Sequence, residues 1–280
     1  MSVVLRVTYD GGDFHGFARQ HSRPDGRPLP TIQGALEDAL AILYGQYVKV
    51  RGASRTDSGV HAQGQLVAFE PPFAIPMRGL VLGLAGRLPR AIVVTSAWQE
   101  FTLDGRPLDP RRRNQGKRYR YVIRCATLRD PMTRRFEWHL PRTFDLEAMR
   151  AAAALMVGEH DFASFRAAAC QAPTSVRRIN SITITGEAEP LQPWGDPKVF
   201  TRHREFARIT IDIDGQAFLH NMVRIMVGSL VEVGDGRRRP EWIGSLLDAR
   251  DRTISGITAP AQGLTLVEVC WRQRLPVSAE

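Results

Sequence analysis

The stretch Arg55-Thr56-Asp57-Ser58-Gly59-Val60-His61-Ala62 gathers a guanidinium, two hydroxyls, a carboxylate and an imidazole into eight positions. It stands between Tyr47 to Gly52 and Gln65 to Glu70, two segments with the composition of β-strands. A polar, glycine-bearing crest between strands is where a scaffold presents reactive groups. A carboxylate there can act as a nucleophile if its surroundings keep it ionised. The same residues have a plainer reading. Asp57 before Ser58-Gly59 has the form of an Asx-turn with a glycine at special dihedrals, and an isolated His61 is more often structural than catalytic.

Arg224 bears on that choice. It lies in Ala217-Phe218-Leu219-His220-Asn221-Met222-Val223-Arg224-Ile225-Met226-Val227-Gly228, where apolar residues surround nearly the whole helix, so the helix should be buried. A buried guanidinium without a carboxylate costs several kcal/mol, roughly, and some Asp or Glu must therefore meet it. The sequence does not name that partner. Asp57 is the loop carboxylate with the strongest independent claim, and Arg224 beside it would hold it ionised. Tyr119 and Tyr121, two residues apart on one strand face, read first as core aromatics. An aromatic at the end of a basic strand is also what an extruded base stacks on.

The elements that must position these groups fall into two series. Val3 to Tyr9 reads as a strand entering the turn Asp10-Gly11-Gly12. Thr31 to Tyr44 reads as a helix capped by Thr31, with Ile32, Leu36, Ala39, Leu40 and Leu43 on one face. A helix over Ile75 to Leu88 and a strand over Ala91 to Trp98 complete β-α-β-β-α-β. Then come strands at Lys117 to Cys125, Arg178 to Thr185, Phe206 to Asp214 and Gly263 to Cys270, with helices at Asp145 to Gly158, Phe218 to Val233 and Pro240 to Ala249. The fold class is α+β: two split β-α-β, ferredoxin-like halves forming a mixed, mainly antiparallel sheet flanked by helices. The expected division is an N-terminal half over 1–104 with the Asp loop, a linker over 105–116 and a C-terminal half over 117–280. Glu187 to Arg204, rich in proline and charge, reads as an inserted loop.

Charge narrows the function. Of 38 basic residues only Lys49, Lys117 and Lys198 are lysines, and the chain carries +9. Between Arg111 and Arg142 eleven basic residues face only Asp130 and Glu137, a net of +9, so the remainder sums to zero. A local arginine stripe is the footprint of a polyanion site, because the planar fork grips phosphate and stacks on bases. A 43% hydrophobic, 24% charged composition is that of a globular protein. The longest uncharged run, Thr253 to Val267, contains Pro260 and Gln262 and is too short and polar to span a bilayer. The start Met1-Ser2-Val3-Val4-Leu5-Arg6 lacks a secretory pattern. Cys125, Cys170 and Cys270 are widely spaced and odd in number, which suits reduced thiols in a cytoplasmic protein.

The stretch from Arg55 to Ala62 resembles the catalytic signature of the TruA family of tRNA pseudouridine synthases. The resemblance continues through Tyr9-Asp10-Gly11-Gly12, Ile32-Gln33-Gly34-Ala35-Leu36-Glu37, Lys117-Arg118-Tyr119-Arg120-Tyr121, Asp161-Phe162-Ala163-Ser164-Phe165 and Met222 to Leu230, in the family's order over residues 3 to 270. It implies the pseudouridine synthase fold and a cofactor-free, metal-free homodimer that isomerises uridines 38, 39 and 40 in the tRNA anticodon stem-loop. By the same resemblance Asp57 is the nucleophile, Tyr119 packs on the target uracil, Arg224 pairs with Asp57, and Arg55 fills the space of the flipped base. Arg111, Arg112, Arg113, Lys117 and Arg118 are the expected RNA-binding residues. Three segments depart from the family: Gly16-Phe17-Ala18 stands for Gly-Trp-Gln, Ser54 for a glycine, and Leu108 to Asn114 for Phe-His-Ala-Arg-Phe-Ser-Ala.

An RNA uridine isomerase imports no group and oxidises nothing, in keeping with a sequence that has no P-loop, GxGxxG element or metal-ligand cluster. Within the same class a divergent paralogue acting on another RNA uridine remains an alternative at this level, and so do two other classes. One is a non-catalytic RNA-binding protein whose function is the arginine stripe. The other is a hydrolase or phosphotransferase using Asp57 and His61 around a divalent metal.

Overall fold

The computed structural model describes residues 1–20, 29–101, 106–187 and 208–271. The chain forms two compact units, Met1–Lys117 together with the strand segment from Leu266, and Arg118–Thr265.

In the first unit β1 (Ser2–Tyr9) lies between β3 (His61–Phe69) and β4 (Ile92–Glu100), and β2 (Arg51–Gly52) pairs with β3. β1 pairs antiparallel with both β3 and β4, which explains why Val3, Val4, Leu5 and Val7 on both of its faces are buried. The part of β10 (Leu264–Cys270) in this unit lies beside β3. The β1–β3 register shifts between Val7 and Tyr9, and such an irregularity re-aims a side chain at a strand end; here that side chain is Tyr9. Helix α1 (Ile32–Tyr44) is N-capped by Thr31, whose hydroxyl accepts from the Gly34 N–H, and ends at Gly45 in the left-handed region. Helix α2 (Met77–Ala85) is shorter than Ile75 to Leu88 because Pro76 precedes it and the chain from Gly86 turns instead of winding on.

Two expectations in this unit need correction. His61 and Ala62 belong to β3 rather than to the loop, since Ala62 pairs with Tyr9 and so carries the ladder with β1 back to the start of the strand. Within Tyr47 to Gly52 only Arg51–Gly52 form a ladder. A four-residue helix, α3 (Pro110–Arg113), occupies the segment read as a linker, with Asp109 as its N-cap and proline at its first position.

In the second unit the strand order is β5 (Gly116–Arg124), β9 (Arg208–Gly215), β8 (Val176–Glu187) and β7 (Gly158–Asp161), with β6 (Trp138–His139) pairing parallel to β5. β8 is antiparallel to β7 and to β9. Helix α4 (Leu146–Ala154) is capped by the Asp145 carboxylate, which accepts from the Ala148 N–H at 2.9 Å. Helix α5 (Met222–Gly234) buries almost every side chain, and α6 (Trp242–Ala249) follows it. α5 starts at Met222 rather than Phe218 because Asn221 sits in the left-handed region, at φ 59°, which breaks helical winding. The short strands β6 and β7 were not expected. The inserted loop from Glu187 to Arg204 lies, beyond Glu187 itself, outside the described residues. The fold class is the expected one: antiparallel-rich sheet flanked by helices in an α+β arrangement.

Candidate active site

Asp57 is half-buried and Arg55 exposed, on the loop joining β2 to β3. That loop is clamped from several sides. The Tyr9 and Thr56 hydroxyls share a buried hydrogen bond of 2.7 Å, and Gln65, wholly buried on β3, donates from Nε2 to the Tyr9 hydroxyl at 3.4 Å and to the Ser54 carbonyl at 2.8 Å. Gln65 Oε1 accepts from the Ser54 N–H. On the other flank the Phe17 N–H donates to the Thr56 carbonyl and the Gly59 N–H to the Phe14 carbonyl, while the Ser58 hydroxyl donates to that same carbonyl at 3.2 Å.

Glycine is required in two places. Gly16 has φ 88°, and a Cβ there would lie 2.8 Å from the Thr56 carbonyl oxygen; Gly59 has φ 79° within the turn closed by the Val60 N–H and the Asp57 carbonyl. The turn that Asp57 opens is thus closed through its backbone carbonyl, with Gly59 at the left-handed position. The segment ahead of the clamp is anchored in turn by α1. The Gln33 N–H donates to the Phe17 carbonyl, Gln33 Oε1 accepts from the Arg19 N–H, and the fully buried Glu37 accepts from Gln33 Nε2 and the Val50 N–H and pairs with Arg19 at 3.0 Å. Burial acts to lower the Arg19 guanidinium, but the charges of Glu37 and Asp38 and a hydrogen bond to Asp38 together outweigh it and hold the group above its ordinary range.

His61 is a peg in this arrangement. It is buried, and its Nδ1 lies 3.1 Å from both the Gly11 N–H and Asp10 Oδ1, tying the Tyr9 to Gly12 turn to the start of β3. Among the described residues no three His, Cys, Asp or Glu side chains gather as a metal site. No helix of the described residues is long and apolar enough to cross a membrane.

In the second unit β5 places Tyr119 and Tyr121 on one inward face. Tyr119 is 7% exposed and meets Phe218 edge-on, with ring centroids 5.1 Å apart. Tyr121 is sealed in: its hydroxyl donates to the Pro260 carbonyl at 2.8 Å, and burial raises its phenol far above the ordinary range, partly opposed by the charge of Arg224. The two tyrosines thus divide, Tyr121 as core and Tyr119 at its margin.

Arg224 is half-buried in the first turn of α5, less enclosed than its apolar neighbours suggested. Its Nε donates to the Ala259 carbonyl at 2.7 Å and its Nη1 to Asn221 Oδ1 at 2.8 Å. Its own carbonyl accepts from the Ala259 N–H, and the Gly256 N–H donates to the Ser229 hydroxyl, holding the 256–259 segment along the helix. A cation in the first turn opposes the helix dipole. Its bonds to Ala259 and Asn221 fix the guanidinium in one orientation at the start of α5.

The arginine stripe is less uniform than the sequence suggests. Arg111 holds Asp109 through Nε and Nη2 at 3.1 and 2.8 Å, Arg120 holds Asp212 at 2.9 Å through two bonds, and Arg142 holds Asp235. Those three aspartates come from outside residues 111–142, so the local sum of +9 overstates the charge presented. Arg112 and Arg118 are exposed, Arg113 half-buried. Lys117 differs again: burial, reinforced by the charge of Arg111, pushes its ammonium down to about 8.

The sequence missed Tyr9 and Gln65 as supports of the Asp57 loop, because both read as ordinary strand residues. It also missed Asp109, although Asp109-Pro110 is a helix-start signature.

Residues 152–272 match a family model described as tRNA pseudouridine synthase. Nearly the whole chain aligns with proteins named tRNA pseudouridine synthase A. Identity is 41% to that of Myxococcus xanthus over 98% of this chain and 93% of the relative, and 40% to that of Geotalea uraniireducens over 95% and 98%. It is 42% to that of Syntrophotalea carbinolica over 97% of each. Likeness of that degree along both units makes the chain a member of the TruA family of tRNA pseudouridine synthases.

Proposed function

We propose that this chain converts uridines 38, 39 and 40 of the tRNA anticodon stem-loop to pseudouridine, without cofactor, as a cytoplasmic homodimer. Family membership supports the reaction. The observation that supports Asp57 as the nucleophile is its presentation at the tip of a loop whose neighbours are fixed by Tyr9, Gln65 and Phe17. Preorganisation of that kind matters because a misplacement of about 1 Å can cost about a hundredfold in rate.

The isomerisation breaks N1–C1′ and forms C5–C1′; overall the hydrogen leaves C5 and N1 gains one, so no oxidant or group donor is consumed. The base must first leave the stack, at a cost of a few kcal/mol, roughly. Arg55, exposed two residues before Asp57, occupies the vacated space. Tyr119 lies against the uracil, its ring already fixed edge-on by Phe218. Arg224, oriented by Ala259 and Asn221, pairs with the Asp57 carboxylate. Arg111, Arg112, Arg113, Lys117 and Arg118 contact RNA phosphates.

The test is tritium release from tRNA labelled with [5-³H]uridine. Wild-type protein should release tritium and place pseudouridine at positions 38, 39 and 40. Asp57→Asn, which keeps volume and turn-forming capacity, should bind tRNA normally and release none. Wild-type release rates from Asp57→Asn would remove the aspartate assignment, and pseudouridine at other positions would correct the choice of uridines.

A further inference from the structure

From Ser255 to Pro260 the chain runs without regular structure along α5. The approach is so close that a Cβ at Gly228 would strike the Ile257 carbonyl oxygen, and one at Gly256 the Ser229 backbone. Wholly buried Ala259 is the point that bears on Arg224: its N–H donates to the Arg224 carbonyl at 3.1 Å, and its carbonyl accepts from Arg224 Nε at 2.7 Å. The aim of the guanidinium therefore depends on where this segment sits. Apolar burial at its tip contributes little, since Ile257 is 58% exposed. Polar contacts hold it instead. Arg252, half-buried in the turn Arg252–Ile254, reaches along the segment with both arms of its fork. Nη1 donates to the Ser255 hydroxyl at 2.8 Å and Nη2 to the Thr258 hydroxyl at 3.2 Å. The Ser255 hydroxyl in turn donates between the Ser164 and Arg252 carbonyls, at 2.7 and 2.9 Å. Ser164 is itself fully buried and bonded through its hydroxyl to the Leu246 carbonyl of α6.

We infer that Arg252 is a positioning residue for Arg224. Its fork sets the spacing of Ser255 and Thr258, and the segment so clamped presents Ala259 to the Arg224 side chain. A rigid planar guanidinium suits the task because it fixes two hydroxyls at once, which the point charge of a lysine does not. The stretch from Asp161 to Phe165 enters the same arrangement through Ser164, the anchor of the clamp. The consequence for turnover rests on the pairing of Arg224 with Asp57 proposed above; the hold on Ala259 does not.

Two readouts on full-length protein separate the clamp from its consequence. Hydrogen exchange of the peptide from Ser255 to Ala261, followed by mass spectrometry, reports the Ala259 N–H that bonds to Arg224. Single-turnover tritium release from tRNA labelled with [5-³H]uridine reports the chemistry. Arg252→Met keeps much of the bulk and removes the fork, and Thr258→Val, nearly isosteric, removes one of the two bonds and serves where the first variant folds poorly by near-ultraviolet circular dichroism. Both should speed exchange of this peptide several-fold while peptides of β8 and β9 keep wild-type protection. Arg252→Met should slow tritium release by about tenfold, the scale of a displacement below about 1 Å, and Thr258→Val by less, with tRNA affinity unchanged. In an Arg224→Met background neither should slow it further. Wild-type exchange in both variants overturns the clamp. Faster exchange with wild-type release, where Arg224→Met is slow, overturns the positioning role, and equal slowing with and without Arg224 overturns action through that residue. Faster exchange in a protein whose Arg224→Met variant releases tritium at the wild-type rate keeps the clamp and overturns the pairing of Arg224 with Asp57 instead.

Discussion

Tyr9, at the end of the central strand of the first unit, shares a buried hydrogen bond of 2.7 Å with Thr56, the residue before the candidate nucleophile. The strand irregularity between Val7 and Tyr9 directs the ring there, so a feature of the sheet determines where a loop residue sits. Tyr9→Phe leaves the Thr56 hydroxyl and Gln65 Nε2 short of a partner, which costs about 1–2 kcal/mol. We expect the urea midpoint to fall accordingly. We also expect kcat to fall by more than KM changes, because the Asp57 loop loses its register while the RNA-binding arginines are untouched. A double-mutant cycle with Thr56→Val should return a coupling of about 0.5–1.5 kcal/mol; additive effects would show that the two hydroxyls act separately.

Asp109 links stability of the first unit to pH. Its hydrogen bonds from Arg111 hold the carboxyl below the ordinary range, against the opposing effect of burial. A depressed carboxyl contributes stability that is present above its unfolded value, about 3.9, and lost as pH falls through the folded value. Asp109→Asn should therefore be less stable than wild type at pH 7, and the gap between their urea midpoints should close as the medium is acidified below about pH 4. A gap that stays constant to low pH would mean that capping of α3, which Asn also performs, is unrelated to the ion pair.

How far these groups were legible in the sequence depended on how local their signals are. α1 was readable to within a residue because its cap, its apolar face and its terminal Gly45 are all local features. Asp57 and Arg224 were readable as charged groups in conspicuous settings. β6 and β7, of two and four residues, carry too little periodicity to register, and only pairing with β5 and β8 makes them strands. His61 read as loop because Ser58-Gly59 precedes it, yet it opens β3, whose next residue, Ala62, pairs with Tyr9 of β1. The ion pairs that neutralise Arg111, Arg120 and Arg142 were invisible for a related reason: two of their aspartates, Asp212 and Asp235, are about ninety residues away.

Arg224 should behave as a positioning residue. Arg224→Lys keeps a positive charge but cannot donate to Ala259 and Asn221 at once, while Arg224→Met keeps much of the side-chain bulk and removes the charge. If fixed orientation matters, both variants should lose most of kcat with little change in tRNA affinity, Arg224→Met the more. If Arg224→Lys retains wild-type kcat, the charge alone is enough. Wild-type kcat in Arg224→Met would exclude a pairing with the Asp57 carboxylate.

Tyr119 offers the sharpest separation of chemistry from packing, because its neighbour in the strand pattern supplies an internal control. Tyr121 is fully buried with its hydroxyl spent on Pro260, so Tyr121→Phe should cost stability, about 1–3 kcal/mol from the stranded carbonyl, and leave turnover per folded molecule near wild type. Tyr119 retains slight exposure at the margin of the same face and meets Phe218 through its ring edge. Tyr119→Phe preserves that edge contact and any stacking face and removes only the hydroxyl. If the hydroxyl takes part in moving the proton from C5, single-turnover tritium release should collapse in Tyr119→Phe while tRNA affinity and urea midpoint hold. Equal losses from Tyr119→Phe and Tyr119→Leu, accompanied by a lower midpoint only in the leucine variant, would place the contribution in the ring. Normal single-turnover release from both variants would remove Tyr119 from the reaction altogether and leave it, like Tyr121, a core aromatic.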